Sequence, residues 1–348
     1  MTERLYLDWN ATTPLRPEAR AAMIAAMDLI GNPSSVHAEG RAAKGLLERA
    51  RGQVAQALGA DGADVVFTSG ATEAAALGCA GRGLHCAAVE HEAVSAWCVT
   101  DLPVDASGLV TVLDPARTAL QLANSETGVV QRLPTGLAVS DLTQGFGKLP
   151  IAFNWLGCDI GLVSAHKSGG PKGIGALVLR QGIDVSAQMR GGGQENGRRA
   201  GTENLVGIAG FGAAVAAATR DLADGVWQEV AEIRNVLEMA LSAMAFNTIS
   251  VGNSAERLPN TVCLIAPGWK GESQVMAMDL AGFAVSAGSA CSSGKVRVSR
   301  VLRSMGFDET EAGQAIRISI GPGVTREQVL RFADVWGRDY RRILARAA

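Results

Sequence analysis

The run over residues 158–179, Cys-Asp-Ile-Gly-Leu-Val-Ser-Ala-His-Lys-Ser-Gly-Gly-Pro-Lys-Gly-Ile-Gly-Ala-Leu-Val-Leu, constrains this chain more than any other. Its two apolar runs, 160–163 and 174–179, predict buried strands by their length and β-branched content. Between them, Ser164-Ala165-His166-Lys167 is followed by Gly169, Gly170, Pro171 and Gly173, too irregular for strand or helix. A lysine at the end of a buried strand is held by the sheet, while glycines let a ligand approach the backbone. An amine that forms a Schiff base needs such a place. A free lysine has a pKa of about 10.4, so roughly one in a few thousand is neutral at pH 7. Desolvation and neighbouring positive charge are required to make it a nucleophile. An arbitrary loop lysine is simply a solvated charge. This one stands beside His166, in a chain with only six lysines.

The length of 348 residues allows two domains, or one large domain with a smaller one appended. A hydrophobic content of 47% with 19% charged residues is that of a folded, soluble protein. The net charge of −2, with no basic run, gives no support for nucleic-acid binding. The opening Met-Thr-Glu-Arg-Leu-Tyr-Leu-Asp does not resemble a secretory leader. The most apolar stretch, 205–219, is short for a membrane span. The expectation is a cytoplasmic protein without membrane contact. None of the six cysteines forms a Cys-x-x-Cys pair or a zinc-spaced group, so no metal is expected.

Along the chain, residues 17–30 predict a helix opened by Pro17 and stopped near Gly31, and 41–58 predict a second. The segment 64–77 reads as strand, glycine turn and helix start. Its Ser69, Gly70, Ala71 and Thr72 suit either an anion site or an ordinary helix cap. Strands over 84–89, 120–123 and 137–139 run into His91, into Asn124 and towards Asp141 and Gln144. A histidine at a strand end serves as a hydrogen-bonded structural residue or as a catalytic one. Polar residues at successive strand ends are the layout of a mostly parallel α/β sheet, whose ligands bind at the carboxyl ends. The loop 191–202 reads as a mobile segment carrying positive charge suited to an anion. A long helix is expected over 219–245, with a domain change around 245–255. Strand and helix then alternate over 261–265, 274–280, 283–286, 299–305 and 315–320, before a last helix from Thr325. Within this part, Ser286-Ala287-Gly288-Ser289-Ala290-Cys291-Ser292-Ser293-Gly294-Lys295 surrounds Cys291 with small residues and one lysine. That fits an exposed, reactive thiol or an incidental surface cysteine.

The motifs Leu7-Asp8-Trp9-Asn10-Ala11-Thr12-Thr13-Pro14, Gly31-Asn32-Pro33-Ser34-Ser35, Phe67-Thr68-Ser69-Gly70-Ala71-Thr72-Glu73 and Glu90-His91-Glu92-Ala93-Val94 come first. Asn124-Ser125-Glu126-Thr127-Gly128, His166-Lys167, Arg199-Ala200-Gly201-Thr202, Ser289-Ala290-Cys291-Ser292-Ser293-Gly294 and Ile316-Arg317-Ile318-Ser319 follow. In order and spacing they resemble the NifS/IscS-type cysteine desulfurases, class-V aminotransferases of the pyridoxal-phosphate fold type I. The resemblance implies an α/β fold with a large cofactor domain (16–250) built on a mostly parallel central sheet. A small α/β domain (1–15 with 251–348) would carry the cysteine loop.

It also implies roles. Lys167 would bind pyridoxal 5′-phosphate as a Schiff base and move protons. Asp141 would pair with the ring nitrogen, His91 would stack on the ring, and Gln144 would bond the phenolic oxygen. Gly70, Ala71, Thr72, Ser164 and His166 would hold the phosphate, with Thr202 arriving from a second subunit of a homodimer. Asn10, Asn124 and Arg317 would bind the substrate carboxylate. Cys291 would take sulfur from L-cysteine as a persulfide, leaving L-alanine, and pass it to an acceptor such as an iron–sulfur scaffold protein. The family's Asp-Ala-x-Gln is here Asp141-Leu142-Thr143-Gln144, and the interval from His91 to Asn124 is short. The rival readings are an aminotransferase or selenocysteine/cysteine lyase of the same fold, and a non-catalytic sulfur carrier or assembly scaffold.

Overall fold

In the computed structural model of the chain, residues 4–288 and 298–347 are described. Cys291 and Lys295 lie outside them. A short strand β1 (Leu5–Tyr6) leads to α1 (Pro17–Met27) and α2 (Ala38–Leu58). Next come β2 (Asp64–Thr68), α3 (Ala71–Cys79), β3 (Leu84–Ala87), α4 (Glu92–Ser95), β4 (Cys98–Leu102), β5 (Ala119–Gln121), β6 (Leu137–Asp141), β7 (Cys158–Ser164) and β8 (Gly175–Leu179). Helices α5 (Leu205–Ala223) and α6 (Val226–Met244) follow. The remainder comprises β9 (Ile249–Ser250), β10 (Thr261–Ile265), α7 (Gly271–Leu280), β11 (Phe283–Ala284), α8 (Arg300–Ser304), α9 (Glu309–Ala312), β12 (Ala315–Ser319) and α10 (Arg326–Ala347).

The central sheet has the order β2-β8-β7-β6-β5. Strands β5, β6 and β7 are parallel, whereas β8 runs antiparallel to both β7 and β2. The cause lies in the opening stretch. A parallel crossover needs about a dozen residues or more, usually with a helix. The link 165–174 is shorter, so the chain turns back on itself and presents Lys167 on the turn. The pair β3–β4 joins the far edge through a bridge from His85 to Thr118.

The expected single helix over 219–245 is two helices. Gly225 sits between them at φ 79°, a left-handed conformation open to glycine, so α5 stops and α6 starts afresh. By length and composition α5 could cross a membrane. It packs instead against α1 and α2, with 56% of its most apolar stretch buried. A Cβ on Gly212 would lie 3.0 Å from Ala50 Cα, so glycine lets α5 and α2 approach this closely.

Of the four apolar clusters among the described residues, two are the largest. One unites Phe67, Leu120, Leu142, Phe153, Val163 and Phe211 around the central sheet. The other joins Leu5 and Leu7 to Val230 and Leu237 of α6, to β10 and β12, and to Phe332, Trp336 and Tyr340 of α10. Leu142 is wholly buried in the first core. Gly161 makes room for it, since a Cβ there would stand 2.9 Å from Leu142 Cδ1.

Candidate active site

The carboxyl ends of β2, β6 and β7 open on a cavity of about 620 Å³. Its walls include Asn10, Gly70, Ala71, Thr72, His91, Asp141, Gln144, Ser164, His166, Lys167 and Arg317. Ligand pockets of small-molecule enzymes fall in this size range.

One end is built for an anion. After β2, Ser69 and Gly70 turn the chain into α3, and no side chain caps that helix. Its first amides, lacking carbonyl partners within the helix, and its dipole favour negative charge. Gly175 shapes this end, because a Cβ there would stand 2.7 Å from Gly70 Cα. The turn is braced from behind. Ser69 N donates to Glu73 Oε2 (2.7 Å), and Arg199 Nε donates to Glu73 Oε1 (2.8 Å). Burial pushes the Glu73 carboxyl up, but the bonds from Arg199 and Ser69 outweigh it and hold it below the usual value.

The glycine- and arginine-rich loop, expected to be mobile and to carry positive charge suited to an anion, is instead tied down by ion pairs. Arg198 pairs with Asp64 and Asp184, both at 2.8 Å. Glu195, at φ 48°, places its buried carboxylate on Arg51 (2.7 and 3.0 Å) and on the amide of Phe67 (3.0 Å). Thr202 is exposed and does not line the cavity.

His166 Nδ1 lies 3.1 Å from Thr12 Oγ1. Burial, then Lys167 and Lys172, push its pKa down to about 4, so the ring is neutral at pH 7. His91 caps α4, its Nδ1 accepting from Ala93 N at 3.1 Å, which places any proton of the neutral ring on Nε2. Asp141 at the end of β6 accepts from Thr143 N at 2.9 Å. Lys167 Nζ donates to the carbonyls of Asn10 (2.6 Å) and Ala11 (2.8 Å).

The other end is built from segments distant in sequence. Arg317 donates to Asp8 Oδ1 (2.7 Å) and to the Ser125 carbonyl (3.0 Å), while its Nε is buried with no partner among the described residues. Asp8 Oδ2 accepts from Ser286 Oγ at 2.8 Å. The side chain of Asn10 bonds Thr261, Ser125, Asn260 and Lys148. Asn124 is buried beside the cavity rather than in its wall. Its amide donates to the Val89 carbonyl, and its Oδ1 accepts from the amides of Glu126 and Thr127. Gly288 and Arg300, described residues on either side of the cysteine segment, both line the cavity.

Sequence reasoning passed over three groups here. Lys148 is fully buried, with Nζ on Asn10 Oδ1 (3.0 Å) and Gln144 Oε1 (2.9 Å). Glu90 is buried in the cavity wall, where Oε1 accepts from Gln121 N at 2.8 Å and Oε2 has no partner among the described residues. Burial pushes its carboxyl well above the usual carboxylate range. Arg300 donates to the Glu90 carbonyl at 2.8 Å. For Lys148 the only signal in the sequence was the scarcity of lysines, and for Glu90 its place in the Glu90-His91-Glu92 motif.

An amine, a carboxylate and an anion cradle facing one cavity can hold a phosphorylated aldehyde and a bound amino acid together. The aminotransferase class-V family profile matches residues 5–332. A cysteine desulfurase of Cereibacter sphaeroides is 38% identical, over 96% of this chain and 95% of that one. A cysteine desulfurase IscS of Dictyoglomus turgidum is 34% identical, over 97% of this chain and 95% of the other. The solved structure of a NifS-like protein from Rickettsia africae superposes with a TM-score of 0.88 at 32% identity, covering 97% of this chain and 100% of that one.

Proposed function

This chain belongs to the class-V aminotransferase family and, within it, to the cysteine desulfurases, and on that premise we propose that it converts L-cysteine to L-alanine and passes the sulfur through Cys291 to an acceptor protein. The cofactor is pyridoxal 5′-phosphate. The residues fit it: glycine at 175 lets the Gly70 turn sit close on β8, the uncapped start of α3 faces the cavity, and Asp141 and Lys167 share that cavity. The observation that carries the reading is the meeting of Lys167, Asp141 and the amides of α3 in that one cavity.

In this reading Thr72, Ser164, neutral His166 and the amides of Gly70 and Ala71 hold the phosphate, joined by Thr202 of a second copy in a homodimer. Asp141 keeps the ring nitrogen protonated, and His91 covers the ring face. Gln144 bonds the phenolic oxygen, and Lys167 Nζ anchors the cofactor and moves the substrate's Cα proton. When bound, the cofactor supplies an electron sink for the pair left at Cα. Arg317 receives the substrate carboxylate, for which a guanidinium is matched two bonds at a time. For Asn10 and Asn124 to join it, each must exchange bonds that it makes within the protein. Cys291 takes the sulfur as a persulfide and offers it to a partner such as an iron–sulfur scaffold. We read the two largest cores as the two domains, 16–250 and 1–15 with 251–348, with α6 packed across onto the smaller, in a cytoplasmic protein.

Product analysis tests this. With L-cysteine and a thiol reductant, wild type is expected to yield equal alanine and sulfide. Cys291→Ser is expected to lose both while keeping the visible band of the bound cofactor. Pyruvate with sulfide, or alanine formation indifferent to Cys291, would move the protein to the lyase or aminotransferase reading.

A further inference from the structure

Lys148, like Glu90 and Arg300, is a group of this site that the reading above leaves unused. A buried amine is unfavourable in itself, and this one sits within the hydrogen-bond network of the cavity wall. Nζ donates to Gln144 Oε1 (2.9 Å) and Asn10 Oδ1 (3.0 Å). Burial, then the charges of Lys167 and Arg317, hold its pKa well below the lysine range. Two acceptors, Gln144 Oε1 and Asn10 Oδ1, are in place for its N–H bonds.

The two acceptors are not equally dependent on it. Asn10 Oδ1 also receives Asn260 Nδ2 at 3.0 Å, and Asn10 Nδ2 is fixed by Thr261 Oγ1 at 2.8 Å. Gln144 is held at one end by Lys148 and at the other by the Asn10 carbonyl, to which Nε2 donates at 3.0 Å. That carbonyl also receives Lys167 Nζ. A side-chain amide has nearly the same shape either way round, so its partners decide which end faces a ligand. With Oε1 on Lys148 and one N–H on Asn10, the second N–H of Gln144 is the donor available to a ligand.

We propose that Lys148 is a positioning residue that holds the Oε1 end of Gln144 and thereby fixes the N–H donor that Gln144 offers to the cofactor's phenolic oxygen. This rests on the pyridoxal-phosphate reading above. It makes Lys148 act through Gln144 rather than through its own charge, although Lys167 is close enough for a charge effect.

The test is a double-mutant cycle read in the pH titration of the visible band of the holoenzyme, without substrate. Lys148→Met in the wild-type background is expected to move the titration midpoint by about half a pH unit or more, the size of one neutral hydrogen bond. In the Gln144→Leu background the same substitution is expected to move it no further. Equal shifts in both backgrounds would show that Lys148 acts through charge, and no shift in either would show that it does not act on the cofactor; both overturn the proposal. A wild type that gives no visible band with pyridoxal 5′-phosphate would overturn the cofactor reading and this inference with it. If Lys148→Met does not fold, Lys148→Gln carries the same test, because it keeps a donor yet accepts either end of Gln144.

Discussion

The two ends of the cavity are held in place by different physics. The anion end is made of backbone, the amides at the start of α3, and charges stand behind it: Arg199 on Glu73, and Arg51 on Glu195. The amino-acid end is made of side chains. Apart from the Asp8–Arg317 pair, its links are mostly hydrogen bonds to amides and carbonyls that meet at Asn10. Ion pairs behind a backbone site are separate clamps, each of which can be lost singly. A buried network shares its members, so removing one leaves others unsatisfied.

The largest effect that sharpens this contrast is expected from Lys167→Ala. On the proposed reading it removes the amine that both anchors the cofactor and moves the proton, so alanine formation should fall by at least ~10³-fold. Steady-state assay and the cofactor's visible band check it, and a loss below tenfold would take the chemistry away from this end. Next comes Arg51→Met, which leaves the Glu195 carboxylate buried without its cation. A loss of about 3 kcal/mol in unfolding free energy is expected from breaking a buried pair. Denaturant titration should show that loss, and the folded fraction should still bind phosphate-bearing cofactor if the clamps are indeed separate.

The smallest effect concerns pH. Folded His166 has a pKa near 4, against an ordinary value of 6.5. The unfolded chain therefore binds a proton first, and stability falls as pH drops from 6.5 towards 4. Urea midpoints at pH 7 and pH 5 should separate more for wild type than for His166→Gln. An equal separation would place the pH sensitivity elsewhere.

The turn before α3 and the place of Lys167 in the cavity wall were legible because Ser69-Gly70-Ala71-Thr72 and Ser164-Ala165-His166-Lys167 are contiguous, and a strand-to-helix turn announces itself locally. The other end was not. Asp8 and Arg317 lie 309 residues apart, and nothing near either names the other. Lys148 reads as an ordinary lysine after a glycine turn, because burial is a property of the folded whole. The loop 191–202 misled for the same reason: Arg198 and Arg199 look available until Asp64, Asp184 and Glu73 are brought to them. The break at Gly225 was hidden by apolar spacing that continues across it. The reversal of β8 could have been read from the short link before it.

The first strand carries a consequence for how the protein is made. Leu5 and Tyr6 pair with Phe283 and Ala284, and Asp8 bridges to Ser319. At ~5–20 residues per second, a ribosome needs on the order of tens of seconds to supply those partners after the N-terminus has emerged. Through that interval the nascent chain can build the sheet that carries Lys167, while Asp8 and Asn10 wait without Arg317, Asn260 and Thr261. The end of the cavity around Asp8, Asn10 and Arg317 is thus a late product of synthesis. On the proposed reading, a chain cut short before β12 would carry a cradle for the phosphate and no seat for the amino acid.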